Sequence, residues 1–441
     1  MDQLNLERLG IPTVTVVTSP FVQLANTIPL AKGFRDACFV QVPPPIGMLA
    51  SFQIRQKAED AFDQILSAAT DWQPSRGTAV KRVSSPADVL EFSGTVEDMN
   101  RHFIEKGWSL GLPVLPPTPE RIYEMLMDTA REPGEVLGQV PPRMGTLTVE
   151  LVAVYAAMAG CRPGYMPVLI AALEGFLTPE ANWRLALSGT GTSQLIVIVN
   201  GPVVKEIGMG CEQGAAGKGY HANGSIGYAI NLIAYAVGGS KPPMLDRSTL
   251  ASPSDYVCWV FGENERALPK DWCSLHVERG FKHSDSVVTV MAGYPPAENM
   301  DHWSGSAEEH MRWWGRIVNP LQNMGGPSVP QVMEQNPLIA LGPEHAHLIA
   351  STKWSKDDFR RAFWEQTRIP LAVWPSACGR EKLTEILGPL TDDSLVPITR
   401  RPGQLLLVVA GGDGKQSHYF PPLPGSFPVS RLIRSSRLRY S

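Results

Sequence analysis

The sequence predicts an α/β protein: a small, incomplete parallel-sheet domain at the N-terminus, then a large α/β or α+β domain. Three observations predict this. Short β-branched runs alternate with helical stretches along the chain. The first such pairs build a βαβα unit with only two parallel strands, although strands of a parallel sheet are normally covered on both faces and paired at their edges. Between residues 185 and 239 an uncharged strand, a long glycine-rich loop and an apolar helix follow one another, an order that points backbone N–H groups at a ligand.

Taken in order, Ile11–Thr18 reads as a strand, Pro20–Gly33 as a helix and Cys38–Val42 as a second strand. Gln53–Ala69 reads as an amphipathic helix with Ala58, Ala61, Phe62, Ile65 and Leu66 on one side. These elements make a domain over 1–70 whose sheet a partner chain, or a second copy of this one, would complete. Residues 71–94 are polar and proline-containing, a linker. From 95 to 441 runs the large catalytic or substrate-binding domain. It opens with a helix over Thr95–Lys106 and a second one capped by Thr118, with Pro119 at its first position. Apolar helices follow at Val149–Ala159 and Tyr165–Phe176. Buried strands are expected at Leu195–Val199, Val287–Met291 and Leu405–Val409, and a helix from about Ser225 to Gly238.

Composition narrows the function. The 441 residues carry a net charge of only −4, and the only basic concentration is Arg431, Arg434, Arg437 and Arg439 at the end, so nucleic acid is not an expected partner. No apolar run is long enough for a transmembrane helix, and the polar, acid-containing N-terminus is unlike a signal peptide. The six cysteines lack zinc-finger or CxxC spacing, which suits reduced thiols in a cytoplasmic protein.

Chemistry-bearing residues gather in four places. In the glycine loop, Cys211 is a candidate nucleophile near a helix start and His221, while Lys218, Asn223 and the loop amides suit an anionic substrate group. A Cys can equally be a small buried hydrophobe. After the aromatic strand YVCWVF come Glu263, Asn264 and Glu265; two carboxylates on one side of a continuing strand can divide into acid and base. His276 and Glu278, two apart in SLHVERG, would share one strand face as an acid/base dyad or as metal ligands joined by His221 or His345. Glu344, His345 and His347 sit at a helix start, with His345 the candidate for proton transfer. Last, Gly411, Gly412 and Ser417, with His418, belong to a turn that can hold an anion by its amides. No motif names a cofactor, and a transition metal is the one candidate. GxGxxG and GxxxxGK[ST] are absent, and Gly107–Gly111 matches GxSxG without the strand–turn–helix context a nucleophile elbow needs.

Several strings resemble the UGSC family of (seleno)proteins: LERLGIPTVTVVTSPF, GWSLGLPVLPPT, NGPVVKEIG with GKGYHANGSIGYAINL, SPSDYVCWVFGENE, SLHVERGFKHSDSVVTV, ALGPEHAHLIASTKWSKDDFRRAFWE and VVAGGDGKQSH. In that family the Sec/Cys-Gly-Ser-Cys motif lies on a βα element just before the LERLGIPTV-like strand. Here Met1 falls a few residues before that strand, so the resemblance implies a motif supplied by a separate small subunit, or lost. Gln416 stands where the family pattern tends to have His. The resemblance implies a subunit of a hetero-oligomeric enzyme of redox or lyase type, assisted by a thiol or selenol, that cleaves or reduces a C–S, C–halogen or C–N bond in a small anionic molecule. The alternatives are a metal-dependent lyase or hydrolase using His/Glu ligands, and a noncatalytic scaffold that stabilises a small catalytic partner.

Overall fold

A computed structural model describes residues 2–22, 25–26, 29, 36–46, 49–72, 90–320, 333–374 and 377–434. At the N-terminus α1 (Asp2–Arg8) precedes β1 (Thr15–Thr18) and β2 (Phe39–Val42), which pair in parallel, and α2 (Ser51–Thr70) follows. The helix α1 was not legible as one. What docks it is Leu4, buried, together with Gln3, whose Nε2 donates to Cys38 O at 2.7 Å and whose Oε1 accepts from Thr15 Oγ1 at 2.6 Å. The expected helix over Pro20–Gly33, most of the 71–94 linker, Arg437 and Arg439 lie wholly or largely outside the described residues.

The larger mixed α/β body begins with α3 (Val96–Glu105), whose Thr95 and Asp98 cap each other, and α4 (Pro119–Met127), capped by Thr118. A hairpin of β3 (Val136–Val140) and β4 (Gly145–Thr148) leads into α5 (Val149–Met158) and α6 (Met166–Phe176). Then come β5 (Gln194–Asn200), α7 (His221–Ala236), β6 (Trp259–Gly262), β7 (Val287–Gly293) and β8 (Ala297–Asn299). The last stretch holds α8 (Ala307–Ile317), β9 (Leu338–Leu341), α9 (Pro343–Ser351), α10 (Lys356–Gln366), α11 (Ala377–Leu387), β10 (Leu406–Val409), β11 (Ser417–Phe420) and β12 (Val429–Leu432).

Two four-stranded mixed sheets result, in the orders β12-β7-β5-β6 and β10-β9-β11-β8. They stack face to face between two helical layers, as the alternation of side chains records. Ile196, Ile198, Phe261 and Met291 of the first sheet meet Leu338, Leu406, Val408 and Phe420 of the second. The outward residues Leu195, Val197, Val199, Val288 and Val290 pack on α5, α6 and α7. On the far side Ile339, Leu341, Leu407 and Val409 pack on α8, α9 and α10. All seven residues of β5 are buried, and its Leu, Ile and Val side chains each add hydrophobic stabilisation of about 1.5–3 kcal/mol. A charge there would be unsupportable.

The two sheets repeat one plan. In each, a parallel pair (β5 with β6, β9 with β10) is joined by an antiparallel strand (β7, β11), and the fourth strand comes from the other half. After β7 the chain passes Pro295-Pro296 and gives β8 to the second sheet; after β11 it passes Pro421-Pro422 and gives β12 to the first. Likewise β5 and β9 both run into Gly-Pro and a helix start, at Gly201-Pro202 and Gly342-Pro343. Gly201 has φ 85°, and a Cβ there would lie 2.1 Å from Asp285 O, so only glycine fits that turn.

Two sequence readings need correction. The helix expected from Ser225 begins at His221. SLHVERG is not a strand but a helical turn, Leu275–Glu278, so His276 and Glu278 cannot share a face. Glu278 is instead drawn to Lys356 Nζ at 3.3 Å and Arg360 Nη2 at 2.9 Å, which removes it from any metal site. No helix among the described residues is long and apolar enough to cross a membrane.

Candidate functional site

Where the sheets meet, a cleft of about 530 Å³ opens between the glycine loop (Gln213–Gly217) and the turn after β10 (Ala410–Gly414). Its walls are aromatic: Trp259 and Phe261 from β6, His418 and Phe420 from β11. Trp259 is fixed by its indole N–H, which donates to Gln194 Oε1 at 2.6 Å, and packs edge-on to Phe420 with ring centroids 5.1 Å apart. His418 faces Glu298 across the β11–β8 ladder. Burial pushes the His418 imidazole below its ordinary value, while the charge of Glu298 pulls the other way. Among the described residues, the amides of Gly412 and Asp413 donate to no protein group, whereas that of Gly414 is taken by Glu344 Oε1 at 2.7 Å. Gly412 must be small because a Cβ there would sit 2.9 Å from the Gln213 backbone nitrogen. The cleft can therefore take a flat body between aromatic faces, with amides for an anionic group and an imidazole for proton transfer.

The glycine loop keeps its shape through Asn223. Buried in the first turn of α7, its Oδ1 accepts from Gly210 N at 2.8 Å, and its Nδ2 donates to Gly210 O, Ala215 O and Val260 O at 3.1, 2.8 and 2.9 Å. It is thus a clamp on the loop, not the substrate contact expected from its position. Asn264 is a brace in the same sense: buried, it donates from Nδ2 to Gly411 O at 2.9 Å, and its backbone amide donates to Val409 O at 2.7 Å.

The carboxylate pair lies at the ends of β5 and β6 but does not line the cleft. Asn200 Nδ2 donates to both Glu263 Oε2 (2.6 Å) and Glu265 Oε1 (3.1 Å). Glu263 is buried, and desolvation, aided by Glu265, raises its carboxyl above the usual range against the pull of Lys356, the Leu275 amide and Asn200. Glu265 is partly exposed and takes the Gly201 amide at 2.7 Å. One carboxyl is thus buried and the other partly exposed, and Glu265 opens a 3₁₀ turn instead of continuing the strand. His276 stands 3.7 Å from Glu265 and is fully buried.

The other expected residues separate. His221 is exposed and pairs with Tyr165 Oη at 3.2 Å, with no hydrogen bond to Cys211. Cys211 is half-buried, its thiol pushed up by burial and by Glu212 and Glu265, with only Arg266 opposing. Lys218 is exposed in the loop. His345 and Ser417 are buried partners: Ser417 Oγ accepts from Gly342 N at 3.1 Å and bonds His345 Nδ1 at 2.8 Å, while His345 Nε2 donates to Asp301 O at 3.0 Å. They brace the second sheet and do not line the cleft. Ser109 is likewise buried, its Oγ donating to Leu112 O at 2.8 Å. Sequence reasoning missed Trp259, Phe261, Phe420 and Glu298, although the aromatic alternation in YVCWVF and SHYF was there to be read.

Residues 1–71 match the model of the UGSC family. No curated protein and no solved structure matches the chain.

Proposed function

With a UGSC-family segment at residues 1–71 as premise, we propose that this chain is the substrate-holding subunit of a thiol- or selenol-assisted enzyme. Its substrate is a small planar molecule bearing an anionic group, cleaved or reduced at a C–S, C–halogen or C–N bond. The observation that carries the reading is the aromatic-walled cleft, with His418 beside Glu298 and the two unengaged amides of Gly412 and Asp413. In a reductive cycle a partner dithiol or selenol–thiol supplies two electrons and two protons, becoming a disulfide or selenenylsulfide, while C–X becomes C–H and HX leaves. His418 would hold the proton delivered to the leaving group. A raised Cys211 thiol suits a nucleophile brought from elsewhere.

The partner of choice is a small subunit carrying Cys-Gly-Ser-Cys, seated on the N-terminal unit. Three features support it. The family match falls on this unit, β1 and β2 pair with no third strand among the described residues, and α2 exposes Phe52, Phe62 and Leu66 while burying only Ala61. Free cysteines, five of them among the described side chains, fit a reducing, cytoplasmic setting.

The cleft is tested by binding. Planar anions with C–S, C–halogen or C–N bonds should bind the wild type and lose about tenfold or more in Trp259→Ala, a loss of one aromatic contact face. Turnover with dithiothreitol as surrogate reductant should fall in His418→Gln while binding persists. Ligands held equally by Trp259→Ala would remove the cleft from consideration. For the partner, Phe62→Glu with Leu66→Glu should abolish the complex with the small subunit in light scattering and leave the melting temperature unchanged. A complex that survives, or a double variant that instead splits a homodimer, overturns that assignment.

A further inference from the structure

We propose that Glu265, His276 and His283 bind one divalent transition-metal ion, at a site apart from the cleft. One donor atom of each lies within 4.8 Å of the other two. The second observation is the His276 ring: it is 0% exposed, its Nδ1 lies 3.7 Å from Glu265 Oε1 and 3.0 Å from Ser274 Oγ, and its Nε2 is buried with no hydrogen-bond partner among the described residues. A buried imidazole nitrogen left unpaired is costly, and a metal–nitrogen bond is one way to satisfy it.

The remaining donors are arranged to suit. Glu265 Oε1 is oriented by the Gly201 amide and by Asn200, the kind of outer support that ligating carboxylates carry. His283 is exposed, with its ring centroid 6.3 Å from that of His276, so it offers a solvent route for the ion and freedom to turn inward. Zinc–nitrogen bonds of about 2.0–2.1 Å place tetrahedral donors roughly 3.4 Å apart, so the three donors, now within 4.8 Å of one another, have to draw together around the ion. Two imidazoles and one carboxylate hold a zinc-type ion and leave a position for water or substrate.

A second His/Asp cluster shows what a satisfied one looks like. Asp301, His310 and His345 are as close together and all buried. There His310 Nδ1 bonds Asp301 Oδ2 at 2.7 Å, His310 Nε2 accepts from Trp314 Nε1 at 3.0 Å, and both His345 nitrogens are engaged. No imidazole nitrogen is left over, and that cluster is structural.

The test uses the full chain, stripped with chelator and titrated with Zn(II) alone or Co(II) alone. One equivalent should bind, with Co(II) giving the visible bands of a four-coordinate ion. His283→Ala, at an exposed position that folding tolerates, and Glu265→Gln should each weaken binding about tenfold or more. Glu278→Gln should leave it unchanged. Absence of stoichiometric binding, or wild-type affinity in His283→Ala and Glu265→Gln, overturns the site.

Discussion

Asn223→Ala is expected to lose about 4 kcal/mol of stability, lower the melting temperature on the order of 10 °C, and abolish ligand binding in the cleft. The side chain is buried and makes four hydrogen bonds, all to backbone groups of Gly210, Ala215 and Val260. Alanine leaves those groups without partners in a place where water does not replace them, and each such group costs about 1–3 kcal/mol. The same bonds fix the loop that forms one lip of the cleft, so binding and stability should fall together. Calorimetry and ligand titration on the variant check this. A variant that melts with the wild type would mean that the loop holds itself.

The second large effect is an acid transition. Desolvation lowers the His310 imidazole to about 4, helped by the charge of His345 and opposed by Asp301, and desolvation lowers His345 as well. Both are neutral in the fold, so below an unfolded value of about 6.5 the unfolded chain binds more protons than the native one. Stability is therefore intact above about pH 6.5 and falls as the pH drops toward 4, by about 3 kcal/mol for His310. Asp301 adds a separate step. Burial would raise its carboxyl, but hydrogen bonds from Ser304, His310 and Trp303 bring it down to about 2. Its contribution is present above about pH 3.9 and is lost as the pH falls toward 2. Melting temperature against pH should show the upper step, flattened in His310→Gln. A His310 ring proton that titrates near 6.5 by NMR would contradict this account.

Much of the layer structure was readable because it is local. Runs such as Leu195–Val199 and the Ala/Leu-rich α6 declare their burial in their own composition, and Thr95, Thr118 and Pro119 mark helix starts by capping chemistry. The glycine-rich stretch over 203–227 stood out as a candidate site, with five of its seven glycines falling before α7 begins at His221. What could not be read depends on distant backbone. Asn223, Asn264 and Ser417 look like ligand contacts until their partners, up to 147 residues away, are known. Period-two spacing misassigned His276 and Glu278 because a single helical turn carries no pattern of its own. His283 stands alone in the chain, and only the fold brings it beside Glu265.

The Pro-Pro crossings at 295–296 and 421–422 carry a consequence for how this protein can be made or lost. Each half holds a piece of its neighbour, so neither is a separable module. A chain cut before residue 429 would lack the edge of the sheet laid down earlier, exposing β7, and fusion or splitting between 294 and 297 should yield aggregate instead of two working parts. Unfolding of the two sheets should therefore be one event.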